Sequence, residues 1–229
     1  EMVASDQYAS AINYLPDFME KMGMSDYYYS YNSRLDFDNK HHFGIIMLSR
    51  FPIINKQTIT NNPMDYNSTF QYADIVKGSD TFRVFNVHLQ SLKFSADNRK
   101  YIDDPSMESE DDIQKSKSVI AKMKKGFLKR QLQSERIKQE MNKSPYPVIV
   151  CGDFNDVPNS YAYNTIGKGL KNCFTEKGSA IGRTYYSISP TLRIDNIFVD
   201  PKFAVQQYTT VKKKLSDHFP VIADLDVEF

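Results

Sequence analysis

The chain has 229 residues, 41% of them hydrophobic, and a formal net charge of +1. That length and apolar share suit one sizeable α/β core, and the near-neutral balance argues neither for nor against a nucleic-acid partner. No apolar run is long enough to span a bilayer, no signal peptide is visible, and the two cysteines, Cys151 and Cys173, form neither a disulfide framework nor a zinc spacing.

Residues 5–22 read as helical, with Tyr8, Ile12, Leu15, Met19 and Met22 near helical spacing. Pro16 kinks that helix or starts a second one, and Gly23 supplies the stop. Residues 25–42 form a tyrosine-rich polar loop with room for a short strand. Strands follow at about 43–50, 53–60, 69–77 and 82–90. Residues 92–111, with Asp103-Asp104-Pro105 and a run of acids, read as a loop or insertion. A long helix fills about 112–142 along a drifting stripe of Ile113, Val119, Ile120, Met123, Phe127, Leu128, Leu132, Ile137 and Met141. A strand at 147–152, a short helix at 160–166, and strands at about 183–187, 193–199, 203–210 and 218–227 complete the chain. There is no internal repeat and no linker between two domains. Paired strands with helices between them predict mixed sheets covered by helices.

Four segments carry chemistry. In Val148-Ile149-Val150-Cys151-Gly152-Asp153-Phe154-Asn155 a buried strand runs straight into a carboxylate and an amide two residues apart. An anion and a neutral donor there suit a metal, a water and a phosphate oxygen; the competing reading is an Asx-type turn closing a strand. In Phe82–Gln90, Asn86, His88 and Gln90 fall at i, i+2 and i+4, and so share one strand face. Three hydrogen-bonding side chains in line are unusual for a core strand. In Leu192–Val199, alternation leaves apolar residues on both faces, so Asp195 sits on a covered strand and needs a partner. In Leu215–Ala223, Asp217-His218 precedes an apolar run, and histidine is the side chain that most easily moves a proton near neutral pH.

Asn86-Val87-His88-Leu89, Gly152-Asp153-Phe154-Asn155, Arg193-Ile194-Asp195 and Ser216-Asp217-His218 resemble, in order, the signature motifs of the endonuclease/exonuclease/phosphatase (DNase I-like) superfamily. The likeness runs over nearly the whole chain, and bacterial members use similar wording around His41-His42-Phe43-Gly44 and the Gly-Asp-Phe-Asn-Asp run. The resemblance implies a four-layer α/β sandwich of two mixed β-sheets flanked by helices, with a catalytic site at one end of the sheets. It implies a single catalytic domain over 1–229 that lacks the family's first strands, including one that carries a phosphate-positioning Asn. Glu1 then takes the place of the family's metal-binding Glu; a frayed terminal residue is the competing reading.

The resemblance also assigns roles. Glu1 and Asp217 are hard oxygen ligands for Mg2+ or Mn2+. Asp153 orients or deprotonates the attacking water, and Asn155 contacts that water or the phosphate. His218 hydrogen-bonds a nonbridging oxygen, and Asp195 holds His218 in its tautomer. His88 donates to the scissile phosphate with support from Asn86, and Gln90 and Ser91 line the rim. Asp156 is read as a helix cap, and the basic residues of 122–143, Arg130 among them, as a solvated face. Lys212-Lys213-Lys214 leads into the site and suits phosphate steering. Cys151 is expected to be a packed thiol, and the tyrosines mostly packed amphipathic residues.

Three functions stay open from these residues: a metal-dependent phosphodiesterase or nuclease; a hydrolase of a lipid headgroup or small phosphorylated metabolite, like sphingomyelinases and inositol phosphatases; and a non-catalytic binding domain of the same fold. A phosphoester substrate, nucleic acid among them, and a monomeric state are expected. Similar bacterial proteins carry N-terminal membrane segments, so membrane attachment is expected only through a segment outside this chain.

Overall fold

Alternation along the central strands decides which faces are covered. On β6 (Asp80–His88), Phe85 and Val87 point to one side, and Phe82 and Val84 to the other. On β7 (Val148–Asp153), Val148 and Val150 go with the first set, and Ile149 and Cys151 with the second. Both faces are apolar, so both must be covered.

A computed structural model describes residues 2–5, 15–31, 41–60, 69–92, 94–186 and 191–227. The other elements are β1 (Met2–Ser5), α1 (Leu15–Met22), β2 (Asp26–Tyr31), β3 (His41–Ser49), β4 (Ile53–Thr60), β5 (Thr69–Lys77), α2 (Ala96–Asp103), α3 (Glu110–Met141), α4 (Tyr161–Gly167), β8 (Lys171–Asn172), α5 (Cys173–Lys177), β9 (Asp195–Val199), β10 (Phe203–Thr210) and β11 (Val221–Val227).

A six-stranded sheet in the order β4-β5-β6-β7-β9-β8 forms the spine. Within it β6 and β7 run parallel, and the neighbouring pairs are antiparallel. Parallel neighbours need a long crossover, which α2 and α3 supply. One face of the sheet packs against α3 and α4, where Ile137, Met141, Ala162 and Ile166 meet Phe85, Val87, Leu89, Val150 and Phe198. Each of the larger of these side chains contributes about 1.5–3 kcal/mol by leaving water.

The opposite face meets a second β layer. The antiparallel sheet β1-β3-β2 brings Met47 and Tyr28 onto Ile53, Ala73, Ile75 and Val84. The antiparallel pair β10-β11 brings Phe203, Val205, Tyr208 and Leu225 onto Val199 and Ile197. This is the expected layered α/β sandwich, with one refinement: among the described residues the second layer is two antiparallel sheets, and only the six-stranded sheet is mixed.

Several elements differ from expectation. Residues 92–111 are not merely a loop: Ser95 and Asn98 form a capping box that starts α2, and α2 packs on α3. Of the strand expected at 183–187, the described residues 183–186 hold a single bridge, Tyr185 to His218, and residue 187 lies outside the described residues. The short elements β8 and α5 have too few residues to show a period, and the sequence reading passed over them. Pro16 is the second residue of α1, so it begins that helix rather than kinking it; residues 6–14 of the expected helix lie outside the described residues. Met2–Ser5, running up to the start of the expected helix, form a strand paired to β3.

Candidate active site

Three strands end side by side. The parallel register sets His88 opposite Asp153, and the antiparallel register sets Asp153 opposite Asp195. The three side chains therefore form one row across β6, β7 and β9, at the edge of the face that meets the second β layer. Gly152 permits this row. Its φ is +140°, and a Cβ there would lie 1.9 Å from the Val87 carbonyl oxygen, so no larger residue lets β7 approach β6 this closely.

Asp153 is the centre. The backbone N–H of Asn155 donates to its Oδ1 at 2.6 Å, and the Asn155 amide donates to its Oδ2 at 2.9 Å. Asn155 holds φ +48°, a left-handed conformation that asparagine tolerates and that curls the chain back over Asp153. The same amide donates to the Leu89 carbonyl at 3.0 Å and lies 3.3 Å from His88 Nε2. His88 Nε2 is 3.6 Å from Asp153 Oδ2.

His218 arrives from the loop before β11. Its Nδ1–H donates to Asp195 Oδ2 at 2.8 Å, and its Nε2 faces Asp153 Oδ2 at 4.0 Å. Burial opposes protonation of this ring. The Asp195 hydrogen bond and charge, with the charges of Asp153 and Asp217, outweigh it and raise the pKa from 6.5 to about 9. His218 is therefore an imidazolium at neutral pH. The partner expected for the covered Asp195 is this histidine.

Thr184 holds both halves of that pair. It is fully buried, and its Oγ1 accepts from the backbone N–H groups of Ile194 and Asp195 at 3.0 and 3.1 Å. Its carbonyl accepts the Phe219 N–H at 2.6 Å. Sequence reasoning missed Thr184, because an isolated threonine in a glycine-rich loop carries no periodic signal.

Arg130 was also misread. This α3 side chain is 1% exposed, not solvated. Its Nε pairs with Asp156 Oδ2 at 2.9 Å, and its Nη1 donates to the Gln90 carbonyl at 3.0 Å. One guanidinium thus ties the turn after Asn155 to the turn after His88. Asp156 is consequently an ion-pair partner and not a helix cap; Ser160 caps α4. The available signal was spacing: Arg130 and Gln133 lie seven and four residues before Ile137, on the buried side of α3.

The other expected site residues are distributed as follows. Asn86 shares the face of His88, but its amide donates to the Ile46 carbonyl of β3 at 2.9 Å, joining the two β layers. The strand stops at His88, so Gln90 is not in line with it. Gln90 turns to α3, where its backbone N–H donates to Gln133 Oε1 at 2.9 Å and its side chain accepts from Lys129 at 3.0 Å. Asp217 is exposed beside His218, and its carbonyl accepts the Tyr186 N–H at 3.3 Å. Glu1 lies outside the described residues. Among the described residues no group of three or more His, Cys, Asp or Glu side chains could hold a metal ion. The carboxylates at the site, Asp153 and Asp217, are hard oxygen donors and fit Mg2+ or Mn2+ in kind. Cys151 is a packed thiol, pushed by burial to about 11, and takes no part in the site.

The profile of the endonuclease/exonuclease/phosphatase family matches residues 4–218, which include every motif of this site. The chain belongs to that family. Its fold is similar to an endonuclease/exonuclease/phosphatase family protein from Bacteroides thetaiotaomicron, at 21% identity and TM-score 0.61, over 94% of this chain and 80% of that one. It is also similar to a mannosyl-6-phosphatase from Bacteroides thetaiotaomicron, at 21% identity and TM-score 0.57, over 93% and 80%. The human Nocturnin catalytic domain with bound sulfate matches at 14% identity and TM-score 0.57, over 93% and 76%. Among curated proteins none matches the sequence. Endonuclease/exonuclease/phosphatase membership makes the chain, in general terms, a phosphoesterase or nuclease.

Proposed function

We propose that the chain is a metal-dependent phosphoester hydrolase that uses an activated water, with phosphodiesters of the nucleic-acid type as its first substrate class. The row His88–Asp153–Asp195 with His218 bound to Asp195 carries this reading. It gathers a carboxylate, a cationic donor and a second imidazole within about one phosphate's reach of each other.

Asp153 is the base. Asn155 fixes both of its oxygens, which sets the carboxylate's angle toward an attacking water. As water adds to phosphorus and the bond to the leaving oxygen breaks, the water's proton passes to Asp153, and the leaving oxygen takes a proton from solvent. His218 already carries its proton, so its Nε2–H serves as donor to a nonbridging oxygen rather than as base. Asp195 keeps Nδ1 protonated and the ring oriented. His88 supplies a second donor to the same phosphate, held against Asn155 and Asp153. A Mg2+ or Mn2+ ion held by Asp217 and Glu1 would neutralise charge on the phosphate oxygens when bound.

The test is hydrolysis of single-stranded and duplex DNA, RNA, sphingomyelin and inositol phosphates, with Mg2+ or Mn2+ and with chelator, beside His218→Ala. Cleavage of one class that is lost with chelator and with His218→Ala supports the proposal. Cleavage indifferent to chelator rejects the metal, and no cleavage by folded protein rejects the hydrolase.

A further inference from the structure

We infer that the rim beside His218 carries a second anion subsite, formed by Arg183 and Lys214, that takes a phosphate of the substrate other than the one cleaved. This deepens the proposed hydrolase and rests on that reading for the identity of the neighbouring site. The chain assembles the rim by pairing two loops. Tyr185 bridges His218, the Tyr186 N–H donates to the Asp217 carbonyl, and the Phe219 N–H donates to the Thr184 carbonyl. Residues 183–186 therefore run beside residues 214–219.

The Tyr186 ring collects two cations. Lys214 Nζ lies 5.1 Å from its centroid and the Arg183 guanidinium carbon 6.0 Å. Arg183 is stiffened further: its Nε donates to the Tyr185 carbonyl at 3.1 Å, and its Nη2 to the Tyr186 carbonyl. A guanidinium has five N–H donors, so three are left over. Among the described residues neither cation pairs with a carboxylate. Lys212 and Lys213, both exposed, continue the positive run.

Two cations gathered at one ring without a carboxylate counter-ion leave positive charge that an arriving anion offsets. The arrangement also offsets a repulsion inside the site. Asp153 and Asp195 stand side by side in the catalytic row and Asp217 precedes His218 in the chain, so the site gathers negative charge and a substrate with two phosphates is repelled twice. The held Arg183 and the Lys214 ammonium at the same ring restore attraction for the second phosphate and leave the first free to react. That second phosphate belongs either to the next residue of a nucleic-acid strand or to a small bisphosphate.

Two substrate pairs separate these sources. Thymidine 5′-(p-nitrophenyl phosphate) is compared with its 3′-phosphorylated form, and glucose 1-phosphate with glucose 1,6-bisphosphate. The expected result is a kcat/KM about tenfold higher for the doubly phosphorylated member of one pair. Lys214→Ala should lose most of that preference, chiefly through KM, and Lys214→Arg should restore it. A preference in the nucleotide pair identifies a strand, and one in the sugar pair a small bisphosphate. Equal rates within both pairs, or equal losses on both members in Lys214→Ala, overturn the subsite. If no ester is cleaved, the hydrolase reading fails on its own, and calorimetric titration still reads the subsite. Thymidine 3′,5′-bisphosphate binding better than thymidine 5′-monophosphate, with the difference lost in Lys214→Ala, supports it; no difference overturns it.

Discussion

The Nδ1–H of His218 donates to Oδ2 of Asp195 at 2.8 Å, across two segments that only the tertiary fold brings together. In the metal-free protein this bond holds the His218 pKa near 9, against an ordinary 6.5. Folding raises the pKa, so folding favours the protonated ring. The resulting stability is fully present below pH 6.5, declines as pH rises, and is gone above about pH 9. Titration of His218 by NMR should show a midpoint near 9 in the wild type and a clearly lower one in Asp195→Asn. Denaturation between pH 6.5 and 9 should lose its slope in the same variant. An unchanged midpoint would reject the dyad.

Asp153 and His218 are assigned complementary tasks, one taking a proton and one presenting it. Asp153→Asn and His218→Ala should each lower kcat by about 100- to 10,000-fold. The circular dichroism spectrum should be retained, because neither side chain belongs to an apolar cluster. A rate near that of the wild type in either variant would sink the mechanism.

Arg130 and Asp156 form a buried ion pair at 2.9 Å that joins the two catalytic turns. Removing one partner leaves a buried charge, so Arg130→Met should cost about 3–5 kcal/mol in urea denaturation. The double variant Arg130→Met with Asp156→Leu should cost less than Arg130→Met alone, since no charge is stranded. Turnover should still fall in the double variant, because the Gln90 turn behind His88 has lost its tie. Wild-type kcat there would make the pair purely structural.

Gly152 cannot be replaced cheaply. Gly152→Ala puts a Cβ 1.9 Å from the Val87 carbonyl oxygen at a φ of +140°, so β6 and β7 must separate. The expected loss is more than about 3 kcal/mol, seen as a lowered urea midpoint or as insoluble protein. A wild-type midpoint would show that the strands tolerate the gap.

Much of the site was legible before the fold was known. Asp153 and Asn155 stood at the end of an unmistakable buried strand, and Asp195 stood on a strand with apolar residues on both faces, which demanded a partner. Local pattern could not say where a strand ends relative to its neighbour. β6 stops at His88 because β7, its parallel partner, stops at Asp153, and Gln90 then follows α3 instead of the site. Arg130 misled for a related reason. In a helix crowded with lysines, the spacing of Arg130 to Ile137 was the one local sign, and the docking of α3 on the sheet is what turns Arg130 inward.

The layered sandwich came from the likeness of the four polar motifs to a known family; periodicity and those residues by themselves established an α/β chain with antiparallel pairing, the strand ends that bear the reactive groups, and the chemistry those groups suit. These follow from short-range physics: strand alternation, apolar runs, and the cost of a covered carboxylate. Register and docking decided the rest. The row His88–Asp153–Asp195, the Arg130 tie and the Thr184 support all join residues far apart in sequence. Such contacts depend on how strands pair and helices pack, which no local window of sequence encodes.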